Sequence, residues 1–274
     1  MILRANCKIN IGLDIIARRE DGFHDLETLM VPVVGLYDEI TVEPHFDSRE
    51  IIFQSVGMEV DCAEDDNLCV RAAKLMQSHY NIGGVSITLD KRIPFGAGLG
   101  GGSSDATATL IAINQVFKLN LPEVKMIELA SELGSDTAFF VRNTPQYCTG
   151  RGEEMEHFTL DLSGRWLVLI KPEGVNVSTR EAYSGVKPST PERSLRELLC
   201  QPIDRWQGNI KNDFEPHIFL SHPTLERIKS DLLSAGAVYT AMSGSGSTIF
   251  GIFNSCPDNK SEQLASYSPY IFEL

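Results

Sequence analysis

The sequence predicts an α+β protein built in two lobes, and three observations carry that reading. Stretches with the two-residue period of strands and the 3.6-residue period of helices are interspersed, without the regular strand–helix–strand rhythm of a parallel sheet. The 274 residues suffice for two ordinary domains with packed cores. Apolar residues make up 42% of the chain and charged ones 22%, the balance of a globular protein and not of a disordered one. The lobes are expected to divide into residues 1–160 and 161–274.

The first element runs from Ala5 to Ile16. Ala5, Cys7, Ile9, Ile11, Leu13 and Ile15 alternate with Lys8, Asn10, Gly12 and Asp14, the pattern of a strand with one buried face. Lys8 and Asn10 therefore project from the same side of the sheet. Asp21-Gly22 is a hairpin turn signal, and Leu26 to Val34 is the return strand. Glu39 to Glu43 and Glu50 to Phe53 are two further strands. Asp65-Asp66-Asn67 opens a helix from Leu68 to His79, with acidic residues against its positive end. Gly83-Gly84 leads to a strand, Val85 to Leu89, followed by Lys91-Arg92-Ile93-Pro94. A glycine-rich segment then enters a helix from Ala106 to Leu119, whose apolar stripe is Leu110, Ile113 and Phe117. Pro122 starts the next helix and Gly134 ends it as its C′ residue. In the second lobe Trp166 to Ile170 is a strand, and Leu195 to Leu199 and Pro223 to Ala235 are helical. Val238 to Met242 and Thr248 to Phe253 are strands joined by Ser243-Gly244-Ser245-Gly246-Ser247.

Charge and composition remove several classes of function. No apolar run approaches the roughly 20 residues that span a bilayer. The start, Met1 to Asp14, alternates and carries charge early, unlike a secretory signal. A cytoplasmic protein with no membrane partner is the expectation. The formal net charge of −13 repels a polyanion at long range, so no nucleic-acid partner is expected. It does not exclude a nucleotide, because oriented backbone N–H groups hold a small phosphate within a net-negative protein. The six cysteines form no C-x-x-C pair, which predicts reduced thiols. The six histidines form no H-x-x-x-H or H-E-x-x-H pattern, so no dedicated metal site is expected.

The strongest signal is the run Pro94-Phe95-Gly96-Ala97-Gly98-Leu99-Gly100-Gly101-Gly102-Ser103-Ser104-Asp105. Five glycines in seven residues are entropically expensive, and a flexible linker would be the bland explanation. A floppy linker has no purpose between a strand and an amphipathic helix. Glycines instead let the backbone approach a ligand, and a helix start offers free N–H groups with partial positive charge. Ser103 and Ser104 can cap the helix or contact phosphate oxygens and Mg²⁺. Gly96-x-Gly98-x-x-Gly101 matches the dinucleotide fingerprint, but Val116 to Asn120 ends a helix where that reading needs an acidic residue on a second strand. The protein-kinase signatures are missing, Asp213-Phe214-Glu215 being the nearest approach, and the Gly-Lys of a Walker A loop does not occur.

What remains is P-x-x-x-G-L-G-[GS]-S-[SA], which closely resembles the second motif of the GHMP kinase superfamily, the group that includes galactokinase, homoserine kinase and mevalonate kinase. Lys8-Ile9-Asn10-Ile11-Gly12-Leu13 is similar to the first motif of that superfamily. Met242-Ser243-Gly244-Ser245-Gly246-Ser247-Thr248 is similar to the third, a loop that packs near the phosphates. Three motifs in order along the whole chain are far more specific than one. Asp21-Gly22-Phe23-His24-Asp25-Leu26-Glu27-Thr28 further resembles the hairpin of the branch that phosphorylates the 2-hydroxyl of a cytidine diphosphate-linked methylerythritol, on the non-mevalonate route to isoprenoids. Gly98 to Ala106, Leu133 to Phe140 and Thr149 to Glu153 are like the same branch. The resemblance implies a ribosomal S5 domain 2-like N-terminal lobe and a ferredoxin-like C-terminal lobe. It also implies ATP with Mg²⁺ as phosphoryl donor, and a monomer or homodimer.

Roles follow by the same resemblance. Lys8, by default a solvated lysine on a polar strand face, becomes the group that stabilises charge near the accepting hydroxyl and the γ-phosphate. Asp136, by default an N-cap, falls on the catalytic aspartate of the G-[ST]-D motif and acts as base or proton acceptor. Pro94, Gly96, Ala97, Gly98, Leu99, Gly100, Gly101, Gly102, Ser103 and Ser104 bind the nucleotide. Ala97 stands where some relatives have glycine and fits if its φ is negative. Asn67 either contacts the adenine or caps its helix. Asn10, Phe23, His24, Asp136, Thr179 and Tyr183 bind the substrate. Phe23 replaces a common tyrosine, stacking on cytosine while His24 hydrogen-bonds the base edge, and Tyr183, from Ser178 to Tyr183, reaches its other face. The rivals are another GHMP kinase acting on mevalonate or homoserine, against which Phe23-His24 argues, and a binding protein that has lost catalysis, against which Lys8, Asp136 and both glycine loops argue.

Overall fold

The computed structural model describes residues 1–60, 62–257 and 262–274. The strands are β1 (Ile2–Arg18), β2 (His24–His45), β3 (Ile51–Gly57), β4 (Gly84–Lys91), β5 (Gln146–Thr149), β6 (Glu154–His157), β7 (Trp166–Ile170), β8 (Tyr239–Met242), β9 (Ile249–Phe253) and β10 (Tyr270–Glu273). The α-helices are α1 (Leu68–His79), α2 (Gly101–Val116), α3 (Glu123–Leu133), α4 (Phe139–Arg142), α5 (Thr179–Ser184), α6 (Leu195–Leu199), α7 (Glu215–Ser221), α8 (Pro223–Ser234) and α9 (Glu262–Ala265). The α+β class is the expected one. No helix among the described residues is long and apolar enough to cross a membrane. The six cysteines are free.

The chain forms two compact units that interleave in sequence, where a single division after residue 160 was expected. The first comprises Met1–Lys8, Pro32–Phe95 and Gly100–Thr144, and the second Ile9–Val31, Gly96–Leu99 and Pro145–Leu274. In the first unit β4 lies antiparallel to β2, with Leu89 opposite Ile40, and parallel to β3, with Ile87 opposite Phe53. Alternating Ile40, Val42, Val85, Ile87 and Leu89 are buried. The helices answer with Met76 of α1, Leu110 and Ile113 of α2, and Leu129 of α3. The 3.6-residue period puts each set on one side of its helix.

In the second unit β5 pairs with the start of β2 and with β6, both antiparallel. A separate sheet runs in the order β10-β7-β9-β8, antiparallel throughout. That order is the one expected of a ferredoxin-like lobe. Leu225, Ile228 and Leu232 of α8 recur at helical spacing and pack with Val168, Ile170, Ile249 and Phe253 of the sheet.

Four local readings change. Residues Ala5 to Ile15 of β1 are buried on both faces, so Lys8, Asn10 and Asp14 are interior polar groups and not a solvated stripe. β2 is one strand where two were expected, because a glycine within a strand weakens the ladder without ending it: β5 pairs before Gly35 and β4 after it. α2 starts at Gly101, inside the glycine run, and not at Ala106. Gly134 ends α3 with φ 173° and ψ 160°, extended backbone in place of a C′ cap.

Candidate active site

In the first unit the pleat of β1 carries Lys8 into the interior, where the residue is 3% exposed. A buried ammonium needs an opposite charge. The Asp136 carboxylate supplies it, with Oδ2 3.2 Å from Lys8 Nζ. Asp136 sits in the turn between α3 and α4, closed by the Thr137 N–H on the Gly134 carbonyl at 3.3 Å. The Thr107 hydroxyl donates to the Thr137 carbonyl at 2.7 Å and ties that turn to α2. The capping role for Asp136 fails, since α4 has Ala138 at its N-cap and no side-chain cap.

The glycine run supplies the second feature. Gly100 is the N-cap of α2 with φ 70°, a left-handed conformation suited to glycine. A Cβ there would stand 3.0 Å from Lys8 Cε and Cγ and 3.1 Å from Phe140 Cζ. The loop backbone thus lies directly against the lysine stem. The first intrahelical bond runs from the Ser104 N–H to the Gly100 carbonyl, 2.9 Å. The N–H groups of Gly101, Gly102 and Ser103 therefore have no acceptor within the helix. No acidic residue occupies the first turn of α2, so no side-chain charge within that turn offsets the positive helix end. Ser104 is buried and Ser103 half-buried.

Asn67 acts as the N-cap of α1, its Oδ1 accepting from the Cys69 N–H at 2.9 Å. It also lines a cavity of about 380 Å³ with Phe53, Val56, Met58, Val60 and Cys62. The capping reading holds.

The second unit carries the rest of the glycine run. A Cβ on Gly98, whose φ is 73°, would lie 2.1 Å from the Ser243 carbonyl oxygen. Only glycine lets the loop from Ser243 to Ser247 pack here. The Ser243 hydroxyl donates to the Gly98 carbonyl at 2.9 Å and the Thr248 N–H to the Ala97 carbonyl at 3.1 Å. Ala97 and Leu99 are buried, Pro94 is half-buried and Gly96 exposed. Ala97 is not among the left-handed residues, so its Cβ is accommodated as expected. Asn10 joins the same cluster: its N–H donates to the Ser243 hydroxyl at 3.2 Å and its Nδ2 to Thr28 Oγ1 at 3.1 Å.

Also in the second unit, the hairpin holds Phe23 and His24. The Phe23 N–H donates to Asp21 Oδ1 at 3.0 Å, and the exposed ring lies 5.0 Å from the Arg151 guanidinium. His24 stacks on Tyr183 with centroids 4.9 Å apart and planes 25° from parallel, and Tyr183 sets its edge on Phe214 at 4.8 Å. Burial, with the charge of Arg18, holds the His24 imidazole below its usual pKa and favours the neutral ring. Tyr183 and the exposed Thr179 belong to α5, whose N-cap Ser178 accepts from the Glu181 N–H at 3.1 Å.

The structure thus unites Lys8, Asp136 and Gly100 in one unit, and His24 with Tyr183 in the other. Three features escaped the sequence reading. Asn212 Nδ2 donates to the carbonyls of Met242 and Gly244, 2.8 Å each, and pins the third glycine loop. Arg151 covers Phe23. Asp38, Lys91 and Asp105 form a buried ion cluster. Lys91-Arg92 at a strand end reads as solvated charge, and no pattern in sequence marks such a lysine as interior.

The family described as GHMP kinases N terminal domain matches residues 67–144, and GHMP kinases C terminal matches residues 193–266. The chain is 41% identical over 272 residues to the 4-diphosphocytidyl-2-C-methyl-D-erythritol kinase of Parabacteroides distasonis, covering 97% of this chain and 96% of that relative. It resembles a crystal structure of 4-(cytidine 5'-diphospho)-2C-methyl-D-erythritol kinase with TM-score 0.81 and 32% identity, over 99% of this chain and 98% of that one. A homoserine kinase from Cytophaga hutchinsonii shares the fold at TM-score 0.70 with 17% identity, over 97% of this chain and 92% of that one.

Proposed function

The chain belongs to the GHMP kinases and, within them, to the 4-diphosphocytidyl-2-C-methyl-D-erythritol kinase family, and from that premise we propose how its residues carry out the reaction. The enzyme moves the γ-phosphoryl group of ATP to the 2-hydroxyl of 4-(cytidine 5'-diphospho)-2-C-methyl-D-erythritol, a step in the formation of isoprenoid precursors. The observation that carries the catalytic assignment is the Lys8–Asp136 pair at 3.2 Å, in contact with the glycine run through Gly100.

Asp136 accepts a hydrogen bond from the 2-hydroxyl and takes its proton as the oxygen bonds to phosphorus and the bond to ADP breaks. Phosphoryl transfer depends chiefly on positioning and electrostatics, so most of the work of Asp136 is orientation. Lys8 stabilises negative charge on the attacking oxygen and the transferred group. The N–H groups of Gly101, Gly102 and Ser103 hold the phosphates, with Pro94, Gly96, Ala97, Gly98, Leu99 and Ser104 shaping the loop. Adenine occupies the cavity beside Asn67. Phe23 stacks on cytosine, His24 reads the base edge in its neutral form, and Asn10, Thr179 and Tyr183 complete the substrate contacts.

Among the described residues no cluster of three or more His, Cys, Asp or Glu could hold a metal ion. Mg²⁺ bound chiefly by triphosphate needs only one or two protein oxygens, which the half-buried Ser103 hydroxyl at the helix start is suited to supply. Such an ion neutralises phosphate charge.

An ADP-release assay with the cytidyl alcohol, mevalonate and homoserine tests the substrate. Turnover with the cytidyl alcohol alone is expected. Turnover with mevalonate or homoserine but not the cytidyl alcohol would sink the substrate assignment, and none with any of the three would leave a nucleotide-binding relative without catalysis.

A further inference from the structure

Asp38 on β2, Lys91 at the end of β4 and Asp105 on α2 are 0%, 3% and 2% exposed. Asp38 Oδ2 accepts from Lys91 Nζ, and its Oδ1 accepts from the N–H groups of Arg92 at 2.5 Å and Ile93 at 2.8 Å. Lys91 Nζ also donates to Asp105 Oδ2 at 2.9 Å. A Cβ on Gly101 would stand 3.0 Å from both Lys91 Nζ and Ile93 Cγ2. The cluster therefore reaches both sides of the glycine run within the first unit: Asp38 holds the N–H groups of the segment that leads into it, and Lys91 lies against Gly101 in the first turn of the helix that follows.

A cluster of this kind is a poor device for stability alone. Desolvating three charges costs several kcal/mol for each ion, and well-packed apolar residues often replace such groups at no loss. Its placement, in contrast, suits a phosphate site. Burial opposes the charge of Lys91, yet Asp105 and Asp38 outweigh it and raise its pKa. Burial also drives the Asp105 carboxyl well above the usual range, against Lys91 and with the help of Asp38. Asp105 Oδ1 is buried without a hydrogen-bond partner. A second full carboxylate beneath the start of α2 would oppose an anion there, and burial, which favours the protonated Asp105 carboxyl, limits that charge.

We propose that Asp38, Lys91 and Asp105 are positioning residues for the triphosphate, fixing the direction of the Gly101, Gly102 and Ser103 N–H groups and so setting nucleotide affinity. This rests on the assignment of the glycine run to ATP. The hydrogen bonds of the cluster run to the loop entry and to α2, so its effect falls on binding more than on transfer.

The test is nucleotide affinity measured directly by calorimetric titration of the full chain with an ATP analogue, beside steady-state kinetics. Lys91→Met is expected to weaken the analogue and raise the ATP KM by about ten- to a hundredfold, in the range that a displaced positioning group produces. The KM for the alcohol and kcat at saturating ATP should change less than about threefold. Because Lys91→Met strands two carboxylates and can fail to fold, Asp105→Asn serves as the second variant. It keeps the shape and is expected to shift ATP affinity by about three- to tenfold. Folded variants with unchanged ATP affinity, or with both KM values raised equally, would overturn the proposal. A wild-type protein that binds no ATP analogue would instead sink the assignment of the loop itself.

Discussion

Lys8 is 3% exposed and Phe23 is 55% exposed, although both are assigned to the handling of one substrate. Around Lys8 lie a carboxylate at 3.2 Å, a glycine whose Cβ would crowd the lysine stem, and a turn tied to α2 through Thr107. Around Phe23 the contacts are those of a surface hairpin, with Arg151 over one ring and His24 stacked on Tyr183. The contrast follows the chemistry. Phosphoryl transfer depends on placing charge, so it repays burial and pre-organisation. Stacking on a nucleobase tolerates small displacements, so it can be left to exposed rings.

The largest effect should come from the buried pair. Asp136→Asn removes the proton acceptor while keeping shape, and kcat should fall by about 10²- to 10⁴-fold. Binding of an ATP analogue should change less than about threefold, since the phosphates are assigned to backbone N–H groups. Single-turnover rates and analogue titration separate the two. Unchanged kcat would remove Asp136 from the mechanism and turn the Lys8 pair into a structural salt bridge.

The exposed half should respond in the opposite sense. Phe23→Ala should raise the KM for the cytidyl alcohol by about ten- to thirtyfold, the worth of one base–aromatic stack, with little change in kcat or the ATP KM. Phe23→Tyr should retain function, because the stacking face is preserved. His24, held below its ordinary pKa, stays neutral above about pH 6.5, so that KM should be flat from pH 7 to 8. A fall in kcat equal to the loss in kcat/KM for Phe23→Ala would show that the two halves are not separable in this way.

The same contrast decides what could be read in advance. Lys8, Asp136, the glycine run and Phe23-His24 could be singled out because each is a short local motif, the strands β1 and β4 because their apolar residues alternate, and β7 and β9 because each is a short apolar run. The start of α2 was misplaced because glycine has poor helix propensity, and the contacts of Gly100 and Gly101 with Lys8, Phe140 and Ile93 override it. β5, β6 and β10 are four-residue strands, too short for a period to emerge. The Asp38–Lys91–Asp105 cluster joins residues far apart in sequence, and its burial is a property of packing that charge pattern alone opposes.

The smallest effect tests whether burial of charge on β1 is by itself a sign of function. Asp14 is 4% exposed on the same strand as Lys8. Its surroundings differ in sign: burial first, then the Asp213 carboxylate and Glu27 against a partial offset from Lys211, push its carboxyl up to about 6. The unfolded chain loses this proton near pH 3.9, so the folded state binds it more tightly. The protonated carboxyl therefore favours folding at low pH, and that contribution is lost as pH rises from about 3.9 to about 6. Asp14→Asn should leave stability unchanged at pH 3.5 and raise it by up to about 3 kcal/mol at pH 8, less where solvent screens the charge, because the cost of a buried charge beside like charges is gone. Urea unfolding at the two pH values measures the difference. Equal gains at both would assign the effect to packing and not to charge. A loss at pH 8, or a loss of turnover in the folded variant, would make Asp14 a working charge like Lys8 and end the distinction between them.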